Sequence, residues 1–351
     1  MVKPVSVLVV DDSAFMRKYI SDILVSDKRI IIAGTARNGK EAIDKINQLR
    51  PDVVTMDVEM PVLDGLEAVK LIMSQCPVPV IMLSSTTKIG ADNTIQAMSC
   101  GAVDFIQKPS GAISLNLHEI QDDLIEKVLM ASKAMLHNHL GQERSQTDNV
   151  IRAPKIIQSS KQMKPVILIG TSTGGPRALQ TVLAELPGSI NAPALVVQHM
   201  PPGFTASLAQ RLDSLSPLKI KEAEHKEVLQ NGTVYIAPGG SHLRIREDSG
   251  ELVALLDQEP PELGHRPSVN VLFESAVQLP SYRKIAVIMT GMGSDGTEGV
   301  TALKKSGHTE VIAESEESCV VYGMPKSAIL AGQADEIHHV KDIAKAIVKL
   351  I

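Results

Sequence analysis

The sequence predicts an α/β protein built of two layer domains joined by a polar segment. Three observations carry that prediction. Short β-branched runs alternate with helical patterns from the N-terminus to residue 136. The composition then turns almost wholly polar, and after residue 164 the alternation starts again, broken by a stretch of short strands and turns. Strands alternating with helices favour a parallel sheet covered on both faces.

In the first domain, residues 1–136, strands are expected at Val5–Val10, Ile30–Ala33, Val53–Met56, Val80–Leu83 and Val103–Ile106. Helical patterns fall between them, at Lys40–Leu49 and Leu66–Ser74 among others, and a last helix from Leu117 to Leu136 closes the domain. Residues 137–164 read as a linker rich in Gln, Ser and Lys, with the solvated face of a longer helix as the alternative. The second domain, residues 165–351, places strands at Val166–Ile169, Leu195–Gln198, Ile285–Met289 and Val311–Ala313. Helices are expected after Pro176 and near Thr205–Leu212, Val269–Leu279 and Thr297–Ser306. Between Lys219 and Leu256 the pattern changes to short strands, and Asn231-Gly232 is a hairpin-type turn signal.

The bulk composition narrows the function classes. A net charge of −5 with aromatics at 2% and no Trp argues against a nucleic-acid partner, which needs a basic face or stacking platforms. The longest apolar runs are strand-length, far short of the ~20 residues of a membrane span, and no basic stretch with a long apolar segment opens the chain. Cys76, Cys100 and Cys319 are odd in number and widely spaced, which suits reduced thiols in a cytoplasmic protein.

Carboxylates gather at one edge of the first sheet. Asp11 and Asp12 follow the first strand and Asp57 follows the third, so all three converge where parallel sheets bind ligands. Crowded carboxylates repel, and a hard divalent cation such as Mg²⁺ relieves the repulsion. Lys108 and Ser84, after the fifth and fourth strands, bring an ammonium and a hydroxyl to the same edge. Any one of them alone reads as a cap or a solvated side chain. Together they read as a phosphoryl acceptor, with Asp57 as nucleophile and Lys108 and Ser84 as sensors of the phosphate.

The second domain offers a nucleophile and its partners. Gly170-Thr171-Ser172-Thr173-Gly174 fits G-x-S-x-G between a strand and a helix, although a Gly-rich turn with Ser172 as helix N-cap fits equally. No Lys-Ser or Lys-Thr follows the glycines, which disfavours a phosphate-binding loop. His199 directly follows Leu195–Gln198, whereas His225, His242 and His265 lie in turn-like segments and are harder to discount. His338 and His339 would point to opposite faces of a strand, a poor metal pair. Asp295 lies in Gly291-Met292-Gly293-Ser294-Asp295-Gly296, which also matches the dinucleotide pattern G-x-G-x-x-G with Glu314 as its acidic partner. Ser172, His199 and Asp295 have the residue types and edge placement of a Ser-His-Asp triad. Their chain order differs from that of the α/β-hydrolases, which disfavours that fold.

Longer motifs carry a resemblance. Residues 1–135 look like a response-regulator receiver domain, through Val-Asp-Asp-Ser at 10–13, Met-Asp-Val-Glu-Met-Pro at 56–61 and Asp-Phe-Ile-Gln-Lys-Pro at 104–109. Residues 165–351 resemble the catalytic domain of the chemotaxis protein-glutamate methylesterases. The matching segments include residues 169–175, 198–205, 235–243, 265–273, 290–296 and 321–325. The resemblance implies a flavodoxin-like receiver of five βα units, then a doubly wound α/β esterase domain with a β-hairpin excursion. It implies phosphotransfer from a chemotaxis histidine kinase to Asp57, Phe105 as the switch aromatic, and a Lys108-Pro109 bond that is a candidate for cis. It further implies hydrolysis of glutamate methyl esters on methyl-accepting chemotaxis receptors, with deamidation of receptor glutamines, and the Met292 N–H as oxyanion donor. No cofactor is expected for the esterase and no insertion into the membrane. Thr171 and Ser294 depart from the family pattern, which often has Ala and Asn there, and are expected to tune substrate fit. The two rival readings are a second domain that only binds a partner and a nucleotide-linked α/β enzyme.

Overall fold

The computed structural model describes residues 3–85, 87–108, 117–134 and 163–351, with the side chains of 117–120 outside that description. The chain divides into two compact units, Met1–Leu136 and His137–Ile351. The expected linker lies almost entirely outside the described residues, as do the Lys108-Pro109 bond and the end of the helix expected to reach Leu136.

In the first unit five strands, β1 (Val5–Val10), β2 (Ile30–Ala36), β3 (Val53–Asp57), β4 (Val80–Ser84) and β5 (Asp104–Gln107), form a parallel sheet in the order β2-β1-β3-β4-β5. Val7–Val10, Val53, Val54, Val80 and Ile81 are fully buried, as expected of strands covered on both faces. Local signals start the intervening helices. Asn38 and Asp64 accept the backbone N–H of Glu41 and Glu67 three residues on, which caps Gly39–Leu49 and Gly65–Gln75. The strand order reverses between β1 and β3, so a crevice opens at their C-terminal ends. Asp11 and Asp57 stand on either side of it.

The second unit holds a seven-stranded parallel sheet. Its strands are β6 (Lys164–Thr171), β7 (Ala194–Gln198), β8 (Lys219–Glu222), β9 (Thr233–Ile236), β12 (Tyr282–Ile288), β13 (Thr309–Glu314) and β14 (Glu336–His338), and an antiparallel pair, β10 (His242–Asp248) and β11 (Glu251–Asp257), stands apart. The order is β14-β13-β12-β6-β7-β9-β8. The chain therefore builds outward from β6 on one side and returns to its other side at β12, which puts the switch point between β6 and β12. Val166 and Leu168 join a core with Val269, Leu272, Phe273 and Val300, whereas the alternating Ile167 and Ile169 are equally buried outside that cluster. Period-two alternation sends them into the opposite layer.

The hairpin belongs elsewhere than its signal. Asn231-Gly232 makes a turn with Gly232 at φ 74°, but it leads into β9, which pairs parallel to both β7 and β8. The hairpin turn is Ser249-Gly250, at φ 52° and 86°, between β10 and β11. Val234, Tyr235 and Ile236 are buried, so the core holds β9 inside the sheet against the local turn preference. The expected helix Val269–Leu279 shortens to Val269–Ser275 followed by a 3₁₀ turn.

Candidate active site and acidic pocket

At the first switch point Asp11, Asp12 and Asp57 bring carboxylate oxygens within 4.8 Å of one another. Asp11 is fully buried and Asp57 nearly so. Lys108 Nζ sits 2.8 Å from both Asp11 Oδ2 and Asp57 Oδ1. Burial pushes the Asp57 carboxyl up to about 6. The Lys108 ammonium opposes that shift and the Asp11 charge adds to it. The Lys108 ammonium is held up by the two carboxylates despite its own burial. Hard oxygen donors crowded in this way fit Mg²⁺, which takes one or two carboxylates and keeps waters and phosphate oxygens. Ser84 is buried in another arrangement. Its hydroxyl accepts from Thr94 Oγ1 at 2.7 Å and turns toward Gly90 O, both on the helix Lys88–Ser99. Phe105 is 4% exposed, and Lys127 lies over its ring at 5.6 Å and donates to its carbonyl at 2.8 Å.

At the second switch point Thr171 pairs with Gln198 in the β6–β7 register, so Ser172 and His199 leave neighbouring strands at one level. The His199 N–H donates to Thr171 O at 3.2 Å. Ser172 is held by its backbone: its N–H donates to Thr290 O, and Gln198 Nε2 donates to its carbonyl, both at 3.0 Å. The helix Gly175–Glu185 has Gly174, not Ser172, at its N-cap, which removes the capping explanation of the serine. Ser172 is half-buried, and its hydroxyl makes no hydrogen bond among the described residues.

His199 Nε2 lies 2.8 Å from Asp295 Oδ2. A carboxylate only accepts, so Nε2 carries the ring proton and Nδ1 keeps its lone pair. Nδ1 is buried without a partner. In the serine-protease triad it is Nδ1 that faces the carboxylate, so the ring is turned the other way here. Asp295 is 2% exposed and accepts three further bonds. Val269 N–H reaches Oδ2 at 2.7 Å, and Asn270 N–H and Ser268 Oγ reach Oδ1 at 2.9 Å. Burial alone would raise this carboxyl. The His199 bond and charge and the two backbone N–H groups outweigh it and hold the group below its ordinary range. Ser268 is the N-cap of Val269–Ser275 but makes no side-chain cap, so Asp295 of a distant loop satisfies the orphan donors of that helix start.

Sequence reasoning missed these braces. Besides Gln198 and Ser268, Asn270 Oδ1 accepts from Gly296 and Gly299 N–H at 2.8 and 2.9 Å and fixes the turn behind Asp295. The 290–293 loop passes directly beside Ser172: a Cβ on Gly291 would stand 2.8 Å from Ser172 Cβ and 2.3 Å from Met324 Sδ. Only glycine permits that approach. The Met292 N–H donates to no acceptor among the described residues. Of the histidines held open by sequence, His225 and His242 accept backbone N–H bonds from Leu256 and Ser268, while His265 stacks on His199. The dinucleotide reading fails on Glu314. It accepts from Thr290 N–H at 2.7 Å and Ser318 Oγ at 2.9 Å and is fully buried, out of reach of a ribose.

An acidic pocket on one α/β unit, and a bonded His199–Asp295 pair at the same sheet edge as Ser172 on the other, are the features to set against known proteins. Family models match both units: the response regulator receiver domain matches residues 7–118 and the CheB methylesterase matches 167–347. A protein-glutamate methylesterase/protein-glutamine glutaminase of Geobacillus kaustophilus is 57% identical over 99% of both chains, and that of Bacillus subtilis is 50% identical over 99% of this chain and 98% of its own. The crystal structure of the Thermotoga maritima CheB methylesterase catalytic domain aligns with a TM-score of 0.52 at 46% identity, over 53% of this chain and 98% of its own. The chain belongs to the protein-glutamate methylesterase/protein-glutamine glutaminase family. Among the described residues no helix is long and apolar enough to cross a membrane.

Proposed function

We propose that this protein hydrolyses glutamate methyl esters on methyl-accepting chemotaxis receptors, and deamidates receptor glutamines, under control of phosphorylation at Asp57. The observation that carries the reading is Asp295, buried, held by three donors besides His199, and paired to Nε2 so that Nδ1 is free as a base. Ser172 Oγ attacks the γ-carbonyl of the side chain while His199 Nδ1 takes its proton. The tetrahedral oxyanion accepts the Met292 N–H, on the loop that Gly291 brings against Ser172. Collapse expels methanol, or ammonia from a glutamine, which leaves with the proton from His199. Water, deprotonated by the same nitrogen, then frees glutamate from the acyl-enzyme. Asp295 stays ionised and steadies each imidazolium. No group beyond this chain's own residues and water enters the scheme.

In the first unit Asp57 Oδ attacks a phosphohistidine of the chemotaxis kinase, and Lys108 meets the phosphoryl oxygens. Asp11, Asp12 and Asp57 would hold Mg²⁺, which neutralises phosphate charge when bound. Ser84 would exchange its present Thr94 and Gly90 partners for the phosphoryl group, with Phe105 following. No disulfide joins Cys76, Cys100 and Cys319 among the described residues, which fits a protein working in the cytoplasm. The test is methanol release from methylated receptor membranes by the full chain and its Ser172→Ala variant. The variant should lose activity by orders of magnitude while still accepting phosphate at Asp57. Near wild-type turnover in the variant removes Ser172 as the nucleophile.

A further inference from the structure

The rings of His199 and His265 stack with centroids 3.8 Å apart and planes 13° from parallel. Nothing in the scheme above uses His265. A single bond from Nε2 to Asp295 fixes one edge of the His199 ring but leaves its plane free to rock about Cβ–Cγ, a soft torsion for an sp² ring. Nδ1 must point at Ser172, so that rocking matters directly.

His265 is itself held. Its N–H and carbonyl exchange hydrogen bonds with Glu262 at 2.8 and 3.0 Å, closing a two-residue turn. Leu263 and Gly264 fill that turn at φ 48° and 81°, the left-handed pair such tight turns require. Three residues further on, Ser268, Val269 and Asn270 supply the donors that hold Asp295. One continuous segment, residues 262–270, therefore grips the carboxylate and covers the face of the imidazole paired to it.

We propose that His265 is a positioning residue, whose ring holds the plane of His199 so that Nδ1 stays aimed at Ser172. The inference rests on the triad reading above. The flat face is what acts, and a π face over a ring that becomes a cation in each half-reaction also favours the charged state. A phenyl ring at this position should therefore serve.

The test uses the full chain with methylated receptor membranes, comparing wild type, His265→Ala, His265→Phe and Ser172→Ala. Methanol release gives kcat and KM, and proton NMR follows the downfield resonance of the His199 Nε2–H bonded to Asp295. His265→Ala should lower kcat about 10- to 100-fold, the usual cost of a slightly misplaced catalytic group, with KM little changed. The downfield resonance should broaden in the same variant. His265→Phe should restore most of both. An alanine variant within about twofold of wild-type kcat overturns the proposal. So does a phenylalanine variant as slow as alanine with the resonance intact, because a ring nitrogen and not the stack would then be needed. If the alanine variant fails to melt cooperatively, the phenylalanine variant decides alone, near wild-type kcat supporting the stack and background activity overturning it. Ser172→Ala separates the two layers: full activity there sinks the triad itself, whereas its inactivity beside a fully active His265→Ala sinks only the role of His265.

Discussion

Asp295→Asn probes the carboxylate through its four accepted bonds. The amide has one acceptor oxygen where the carboxylate has two, so one of two arrangements follows. If the NH₂ takes the place of Oδ2, it faces the Val269 N–H and offers a hydrogen to His199 Nε2. The ring proton then moves to Nδ1, and the lone pair that the proposed scheme uses as the base is gone. If the NH₂ takes the place of Oδ1, Ser268 can reverse its hydroxyl, but the Asn270 N–H meets another donor. Nδ1 keeps its lone pair in that case, without a charge to stabilise the imidazolium. Either way a buried N–H loses its acceptor, which costs about 1–3 kcal/mol and lowers Tm by about 2–4 °C per kcal/mol for a unit of this size. The loss in kcat should approach ~10⁴, as for the same change in a serine-protease triad. That is about 5 kcal/mol of transition-state stabilisation. The assay is methanol release from methylated receptor membranes, beside a thermal melt of the same sample. The pH dependence adds a sign. Because the folded Asp295 is held below its ordinary value of 3.8, its stabilisation is complete above that value and lost as pH falls through the folded one. The asparagine variant lacks that acid-side loss. A variant that melts like wild type and retains wild-type kcat would refute the assignment of Asp295.

Glu314 titrates in the opposite sense: burial raises it above 4.5 against the Thr290, Ser318 and Cys319 bonds, so its stabilisation is full below 4.5 and lost as pH rises through the folded value. Glu314→Gln keeps an acceptor for Thr290 N–H, and its stability advantage over wild type should widen from acid to alkaline pH in denaturant melts, while a gap independent of pH would dismiss the idea. If the unphosphorylated first unit restrains the second and phosphorylation relieves this, Asp57→Asn should leave basal esterase activity intact and abolish stimulation by a small-molecule phosphodonor, and the fragment 165–351 should exceed the unphosphorylated full chain. Equal rates for fragment and full chain would count against restraint by the receiver. Thr171→Ala removes a buried hydroxyl bonded to Thr290 O at 2.9 Å, but Ser172 N–H still serves that carbonyl. It should therefore cost about 0.5–1.5 kcal/mol in a urea melt and leave KM unchanged, and an altered KM would return Thr171 to a role in substrate fit.

How much of this was legible follows from what each feature depends on. Strand ends are local, so Asp11, Asp57, Lys108, Ser172 and His199 could be placed at sheet edges from β-branched runs alone. The pairing of His199 with Asp295 needed only the inference that β7 and β12 both lie near β6. Which ring nitrogen faces the carboxylate did not follow, because it depends on a rotamer set by packing. Ser84 reads as a phosphate sensor from its strand, yet in this state its partners are Thr94 and Gly90, chosen by how the helix Lys88–Ser99 lies on β4. The Asn231-Gly232 signal misled because turn chemistry is a weak preference. The burial of Val234–Ile236 decided the pairing of β9 instead. His265 stayed open because a stack between residues 66 positions apart leaves no periodic trace.

The loop after β12 shows why the dinucleotide pattern and the hydrolase share residues. A Gly-x-Gly-x-x-Gly turn brings backbone close to something, and here that something is a serine side chain. Gly291 has no room for a Cβ against Ser172, Gly293 and Gly296 sit at φ 81° and 96°, and between them the chain presents Met292 and sends Asp295 inward. Thr290 at its base is pinned from three sides: its carbonyl by Ser172 N–H and the Thr171 hydroxyl, its N–H by Glu314, and its hydroxyl by Thr173 O and Val321 N–H. The Met292 N–H and the Asp295 carboxylate, donor and orienting group in the proposed scheme, thus hang on one short loop fixed to the turn that carries Ser172. Ser294 is exposed on that loop whereas Thr171 is fully buried, so an effect on substrate fit is expected of Ser294 and not of Thr171.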